Sequence, residues 1–79
     1  MRISYDPTYN IAYITLRSKR TAVKTLHISE EVNIDVSPDG KIYGIELLNA
    51  NDQLKEAKKK HFTLTNESTG KSLRVPLPL

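Results

Sequence analysis

The dipeptide Asp39-Gly40 constrains this chain more than any other feature, because two alternating apolar runs flank it. The first is Val32-Asn33-Ile34-Asp35-Val36; the second is Lys41-Ile42-Tyr43-Gly44-Ile45-Glu46-Leu47, with Ser37-Pro38 leading into the turn. Both residues of an Asp-Gly pair tolerate the positive φ of a type I′ turn, whose twist matches that of the strands it joins. With Asp39-Gly40 as a two-residue loop, Val36 opposes Tyr43, Ile34 opposes Ile45 and Val32 opposes Leu47, all on one face. Asn33 then opposes Glu46, and Asp35 opposes Gly44, on the other face. A four-residue loop shifts the pairing by two and keeps these faces, because side chains alternate along a strand. The segment therefore reads as a hairpin with one apolar and one polar side.

Strands are also expected on the N-terminal side. Arg2-Ile3-Ser4-Tyr5 reads as a short strand, and Asp6-Pro7-Thr8-Tyr9-Asn10 as a turn. Ile11-Ala12-Tyr13-Ile14-Thr15-Leu16 is rich in β-branched and aromatic residues and reads as a second strand. Thr21 to Ile28 reads as a third, with Ala22, Leu26 and Ile28 on one side and Val23, Thr25 and His27 on the other. Lys24 falls on the more apolar side, which weakens that assignment unless the strand lies near a sheet edge. Beyond Leu48 the period changes to that of a helix over about 49–60. Asn49 is its expected N-cap, Asp52 lies in its first turn, and Lys58, Lys59 and Lys60 lie in its last turn, where cations are favoured. The tail carries Phe62-Thr63-Leu64-Thr65 and Lys71-Ser72-Leu73-Arg74-Val75 around a turn-like Asn66 to Gly70, and reads as extended or as a second hairpin.

The expected class is thus α+β: a small antiparallel β-meander of about five strands, one short helix and a C-terminal extended or hairpin tail. Residues 1–60 form one small domain, and 61–79 an extension that packs on its own or a neighbouring chain. Seventy-nine residues suffice for one domain and leave little room for an enclosed pocket. The absence of cysteine excludes a disulfide framework, a thiol nucleophile and a thiolate metal site, and fits an intracellular setting. No apolar run approaches the roughly 18 residues of a membrane span, and Met1 to Asp6 is no signal peptide, so a cytoplasmic chain without membrane contact is expected.

Several stretches resemble domain-of-unknown-function family 2283, a group of small prokaryotic proteins. They are Ile3-Ser4-Tyr5-Asp6-Pro7, Ala12-Tyr13-Ile14-Thr15-Leu16 and the segment from Asn33 to Ala50. The resemblance spans about residues 1–54 and implies a compact antiparallel sheet followed by a helix. It brings no activity with it, and the tail from about Lys55 departs from the pattern.

Candidate chemistry is sparse. Asp35, Ser37, Asp39, Gly40 and Glu46 have the spacing of a calcium-binding loop, but that motif needs flanking helices where this chain has strands, so the plain hairpin is preferred. Asn33, Asp35 and Glu46 share the polar side of that hairpin; the solvent face of a sheet is the plain reading, weak cation binding the residual one. His27 and His61 lack partners at metal-ligand spacing, and no serine sits in a nucleophile elbow, so neither catalysis nor a cofactor is expected. The net charge is +3, in blocks that alternate from +3 over 1–20 to −3 over 21–40, then +2 over 41–60 and +1 over the rest. A mixed soluble surface follows from that alternation.

Two functional readings come from this. The leading one is a small protein-binding or regulatory module, with an antitoxin-like role as one form, associating as a homo-oligomer, most simply a dimer. The alternative is nucleic-acid binding through a basic loop at Arg17, Lys19 and Arg20 and a helix end at Lys58, Lys59 and Lys60, with Tyr5, Tyr9, Tyr13 and Tyr43 as stacking surfaces. Against that alternative, the tyrosines are expected to pack: Tyr43 with Val36 in the core, the others over sheet edges.

Overall fold

The structure, a computed structural model, describes residues 1–18, 21–54 and 61–77. Five strands form one antiparallel sheet: β1 (Arg2–Asp6), β2 (Ile11–Thr15), β3 (Lys24–His27), β4 (Val32–Val36) and β5 (Ile42–Leu47). A helical turn, α1 (Ala50–Gln53), follows, and then a two-stranded hairpin of β6 (His61–Thr65) and β7 (Ser72–Pro76). The α+β expectation holds at this level, and the tail takes the hairpin form.

The strand order is β1-β2-β5-β4-β3, so the sheet is not the sequential meander expected. β2 pairs with β5 through Ala12↔Leu47, Tyr13↔Glu46, Ile14↔Ile45 and Thr15↔Gly44. The reason lies in β3, all of whose residues are exposed and which carries Lys24 on the apolar side. In a sequential meander β3 would sit inside the sheet and bury that ammonium. At the edge it leaves Lys24 in water, and the more apolar β2 gains strand neighbours on both sides.

The central hairpin keeps its predicted register at Val32↔Leu47, Asn33↔Glu46, Ile34↔Ile45 and Asp35↔Gly44. Its turn differs. Among the described non-glycine residues only Asn10 and Asn49 have positive φ, so Asp39 does not, and a type I′ turn is excluded. Gly40 alone is left-handed, at φ 85°; its N–H donates to the Ser37 carbonyl at 2.9 Å, and the Ser37 N–H donates to the Lys41 carbonyl at 2.9 Å. This is a three-residue loop closed by a glycine bulge. The pairing shifts after Asp35, and Val36 opposes Ile42 rather than Tyr43.

The helix is also shorter than expected. It ends at Leu54, which has φ −94° and ψ 9°, and 55–60 lie outside the described residues. Asn49 occupies the N-cap position, but with φ 51° and no capping bond from its side chain. The cap comes instead from Asn10, in the β1–β2 turn. Its carbonyl accepts the Ala50 N–H at 2.9 Å, and its Oδ1 accepts the Asn51 N–H at 2.8 Å. The Asn10 amide nitrogen donates to Asn51 at 2.7 Å and Asn49 at 3.1 Å. Gln53 completes the docking by donating to the carbonyls of Leu48 and Glu31.

Among the described residues very little is fully enclosed. The buried apolar residues are Ala12 and Ala50, where α1 meets β2; the buried polar ones are Asp35 and Ser37. No large side chain among the described residues is fully buried.

Candidate functional site

Strand register divides the large sheet into two unlike faces. On one, cross-strand neighbours run Ser4, Tyr13, Glu46, Asn33 and His27 in one row, and Arg2, Thr15, Gly44, Asp35 and Thr25 in the next. On the other run Ile3, Ile14, Ile45, Ile34 and Leu26, beside Tyr5, Ala12, Leu47 and Val32.

The polar face is organised around Asp35. Thr25 Oγ1 donates to its Oδ1 at 2.6 Å, and Tyr13 Oη to its Oδ2 at 2.5 Å, so each carboxylate oxygen has a donor. Tyr13 stands on β2 and Asp35 on β4, with β5 between them, a span of about 10 Å at ordinary strand spacing. The phenol must therefore cross β5, and it does so over Gly44. A Cβ on Gly44 would lie 2.1 Å from Tyr13 Oη and 2.4 Å from the ring carbon that bears it. This mid-strand glycine is present for close approach rather than for a turn.

Beside this cluster, Asn33 Nδ2 donates to Glu46 Oε1 at 3.1 Å, and Asn33 Oδ1 lies 2.8 Å from His27 Nδ1. Because that amide oxygen only accepts, Nδ1 is the protonated ring nitrogen in this arrangement. The trio of Asn33, Asp35 and Glu46 is thus tied up in neighbouring donors and acceptors. Asp35 and Glu46 lie in strands, as the plain hairpin requires, and no group of three or more His, Asp or Glu among the described residues could hold a metal ion. His27 is in the large sheet and His61 in the small one.

Arg17 is placed at the side of β5, its Nη1 donating to the Ile42 carbonyl at 3.3 Å and its N–H to the Tyr43 carbonyl at 3.2 Å. Lys19, Arg20, Lys58, Lys59 and Lys60 lie outside the described residues. The tyrosines form no common platform, since Tyr5 and Tyr13 pair with adjacent residues of one hairpin and project to opposite faces. Tyr13 covers no edge, and Tyr5 Oη donates to Asn10 Oδ1 at 3.3 Å.

The apolar face is the unfinished part of the molecule. At its β1 end, Phe62, Val75 and Leu77 approach Ile3, Tyr5 and Leu54 around an open cavity of about 310 Å³. At the other end Leu26 remains 39% and Ile28 58% exposed. The chain exposes 6314 Å² in all, whereas a folded monomer of 9.0 kDa is expected to expose about 4,900 Å². What this arrangement can do chemically is bury apolar surface against another molecule.

Neither the Tyr13–Asp35 crossing nor the Asn10 cap was anticipated from the sequence. The available signals were a glycine inside an otherwise good strand, and an asparagine closing a turn, where a left-handed φ is tolerated.

Among the described residues no helix is long and apolar enough to cross a membrane. No curated protein and no solved structure matches the chain. A family model described as "Protein of unknown function (DUF2283)" matches residues 2–51, from β1 to the first residues of α1, and includes Asn10, Tyr13, Asp35 and Gly44 but not the β6–β7 hairpin. The match covers well over half of the chain, and the protein therefore belongs to the DUF2283 family.

Proposed function

We propose that this protein is a small cytoplasmic protein-binding or regulatory module, not an enzyme, whose apolar sheet face receives its partner. One observation carries the reading: one face of the sheet satisfies its own hydrogen bonds, while the other leaves Ile3, Leu26 and Ile28 in water. Exposed apolar surface of this extent on a small domain favours association over solvation. An antitoxin-like role, with the tail or helix capping a basic toxin-like partner, is one concrete form of it.

The test is a pull-down from native lysate with nuclease treatment, comparing the wild-type chain with a Leu26→Lys/Ile28→Lys variant. A protein retained by the wild type through nuclease treatment, and lost by the variant, is the expected result. No retained protein, neither a foreign one nor a second copy of this chain, or one indifferent to the two lysines, overturns the reading. Nucleic acid recovered alone, and lost on nuclease treatment, replaces it with binding through Arg17, Lys19, Arg20 and Lys58 to Lys60.

A further inference from the structure

The β6–β7 hairpin is itself amphipathic. Its register sets Phe62 against Val75 and Leu64 against Leu73, and since alternate pairs share a side, these four residues form one apolar face. Thr63, Arg74, Thr65 and Ser72 take the other side. The apolar face is only half used: Phe62 and Val75 are half-buried, whereas Leu64 and Leu73 are each 61% exposed. The hairpin therefore seats its inner half against its own β1 end and carries its outer half out into solvent. The sheet has the opposite defect, an apolar half at β3 and the β3–β4 turn where Leu26 and Ile28 remain exposed.

From these two incomplete surfaces we infer that the partner on the apolar face is a second copy of this chain, each copy laying its outer hairpin across the β3 half of the other's sheet. The inference rests on the protein-binding reading of that face. In a two-fold dimer, whatever one chain's residue i meets on the other's residue j is repeated by j meeting i, so an exchanged hairpin needs its receiving surface on the same chain, and this molecule has both.

Area and charge agree with this pairing. A standard interface takes about 800 Å² from each partner, and the chain exposes roughly 1,400 Å² more than its mass requires, enough to supply it. Lys71 lies at the turn end of the hairpin, two residues before the exposed Leu73, and Arg74 follows Leu73 on the hairpin's other side, whereas Glu30 and Glu31 follow the exposed Ile28. No ion pair among the described residues engages any of these four charges. A basic rim beside one apolar patch thus matches an acidic rim beside the other, which fixes the register of docking more than its strength.

Sedimentation equilibrium on the full chain tests the inference. The wild type is expected at twice the 9.0 kDa chain mass. Leu64→Lys/Leu73→Glu sets opposite charges directly across the hairpin, which preserves its pairing, and removes the apolar overhang. This variant should keep its circular dichroism spectrum while its dimer dissociation constant rises at least about tenfold. Glu30→Lys/Glu31→Lys and Lys71→Glu/Arg74→Glu should each weaken the dimer, and an equimolar mixture of the two should restore it as a heterodimer. A wild type that stays at the chain mass throughout the micromolar range overturns the inference, as does a dimer unmoved by both the overhang substitutions and the charge reversals. If such a monomer captures a foreign protein through Leu26 and Ile28, the protein-binding reading survives; if it captures nothing, both fall.

Discussion

The two faces of the sheet are built from the same five strands and reach opposite outcomes. On the polar face, Asp35 is 7% exposed, and each of its oxygens has its own donor. On the adjacent edge strand, one residue along and on the apolar face, Leu26 is 39% exposed. A carboxylate is thus better shielded than a leucine, against the usual ranking of what goes inside. The inversion has a local cause. Asp35 is covered by one long side chain that its own sheet supplies, Tyr13, whereas covering Leu26 takes a second layer: the small hairpin lies at the β1 end, and α1 packs on β2 and meets the β3–β4 turn through Gln53 on the Glu31 carbonyl. A single layer can therefore finish its polar side alone but not its apolar side.

The hardest way to break the polar side is Gly44→Ala. The added methyl would stand 2.1 Å from Tyr13 Oη, so the ring must leave, and Asp35 then loses a donor while buried. Overpacking and a lost charged hydrogen bond together should cost about 3 kcal/mol in chemical denaturation. The same substitution in a Tyr13→Ala background should cost less than about 1 kcal/mol, because the clash has been removed. Additive losses would show that the crossing does not depend on the glycine.

Removing only the phenolic oxygen, by Tyr13→Phe, should cost about 1.5 kcal/mol in the same measurement, since it leaves the ring in place over Gly44 and deprives Asp35 of one donor. Asn10→Ala should cost about 1 kcal/mol, because it removes the side-chain acceptor for the Asn51 N–H and sets an alanine at φ 56°. Asn10→Gly separates the two effects by keeping the conformation and losing only the side chain. On the apolar side, Leu26→Lys should change the stability of the isolated chain by less than about 0.5 kcal/mol at dilutions where it is monomeric, and should show itself in association instead. A large loss of monomer stability there would mean that the face is already covered, and the contrast between the two sides would fail.

These contrasts also show which parts of the architecture were legible from sequence. The pairs Ile34↔Ile45 and Asn33↔Glu46 followed from alternation around a turn signal, and that information is local. The turn type did not follow, because Asp-Gly suits both a two-residue loop and a glycine bulge, and the Ser37 side chain favours the second by accepting the Lys41 N–H at 3.1 Å. The pairing of β2 with β5 is non-local, and no pattern local to either strand encodes it. Lys24 was the clue that β3 belongs at an edge. The crossing of Tyr13 over Gly44 inherits that difficulty, since it exists only once β2 and β5 are neighbours. The Asn10 cap has the same origin: capping rules look a few residues along the chain, and Asn10 lies 41 positions from Asn51.

The smallest effect is expected at Asp39, four residues from Asp35 and its opposite in setting. Its side chain is 61% exposed; the Ser37 hydroxyl donates to it, and the Lys41 ammonium lies 3.5 Å away. The Ser37 hydrogen bond first, and the Lys41 charge after it, hold the Asp39 carboxyl below its ordinary value of 3.8. A carboxyl whose pKa is lower folded than unfolded adds stability that is fully present above the unfolded value and is lost as pH falls through the folded one. The turn should therefore loosen only on the acid side of the ordinary carboxylate range, and Asp39→Asn should remove that part of the pH dependence. Ser37→Ala also deprives the Lys41 N–H of its acceptor, so melting would mix two losses. Titrating the Asp39 carboxyl carbon by NMR reads the first alone, and its midpoint should move up toward the ordinary value in the variant. An unmoved midpoint would mean that the hydroxyl contributes nothing to the charge state of Asp39. Exposure makes this carboxylate tolerant of such a loss, whereas burial leaves Asp35 dependent on both its donors.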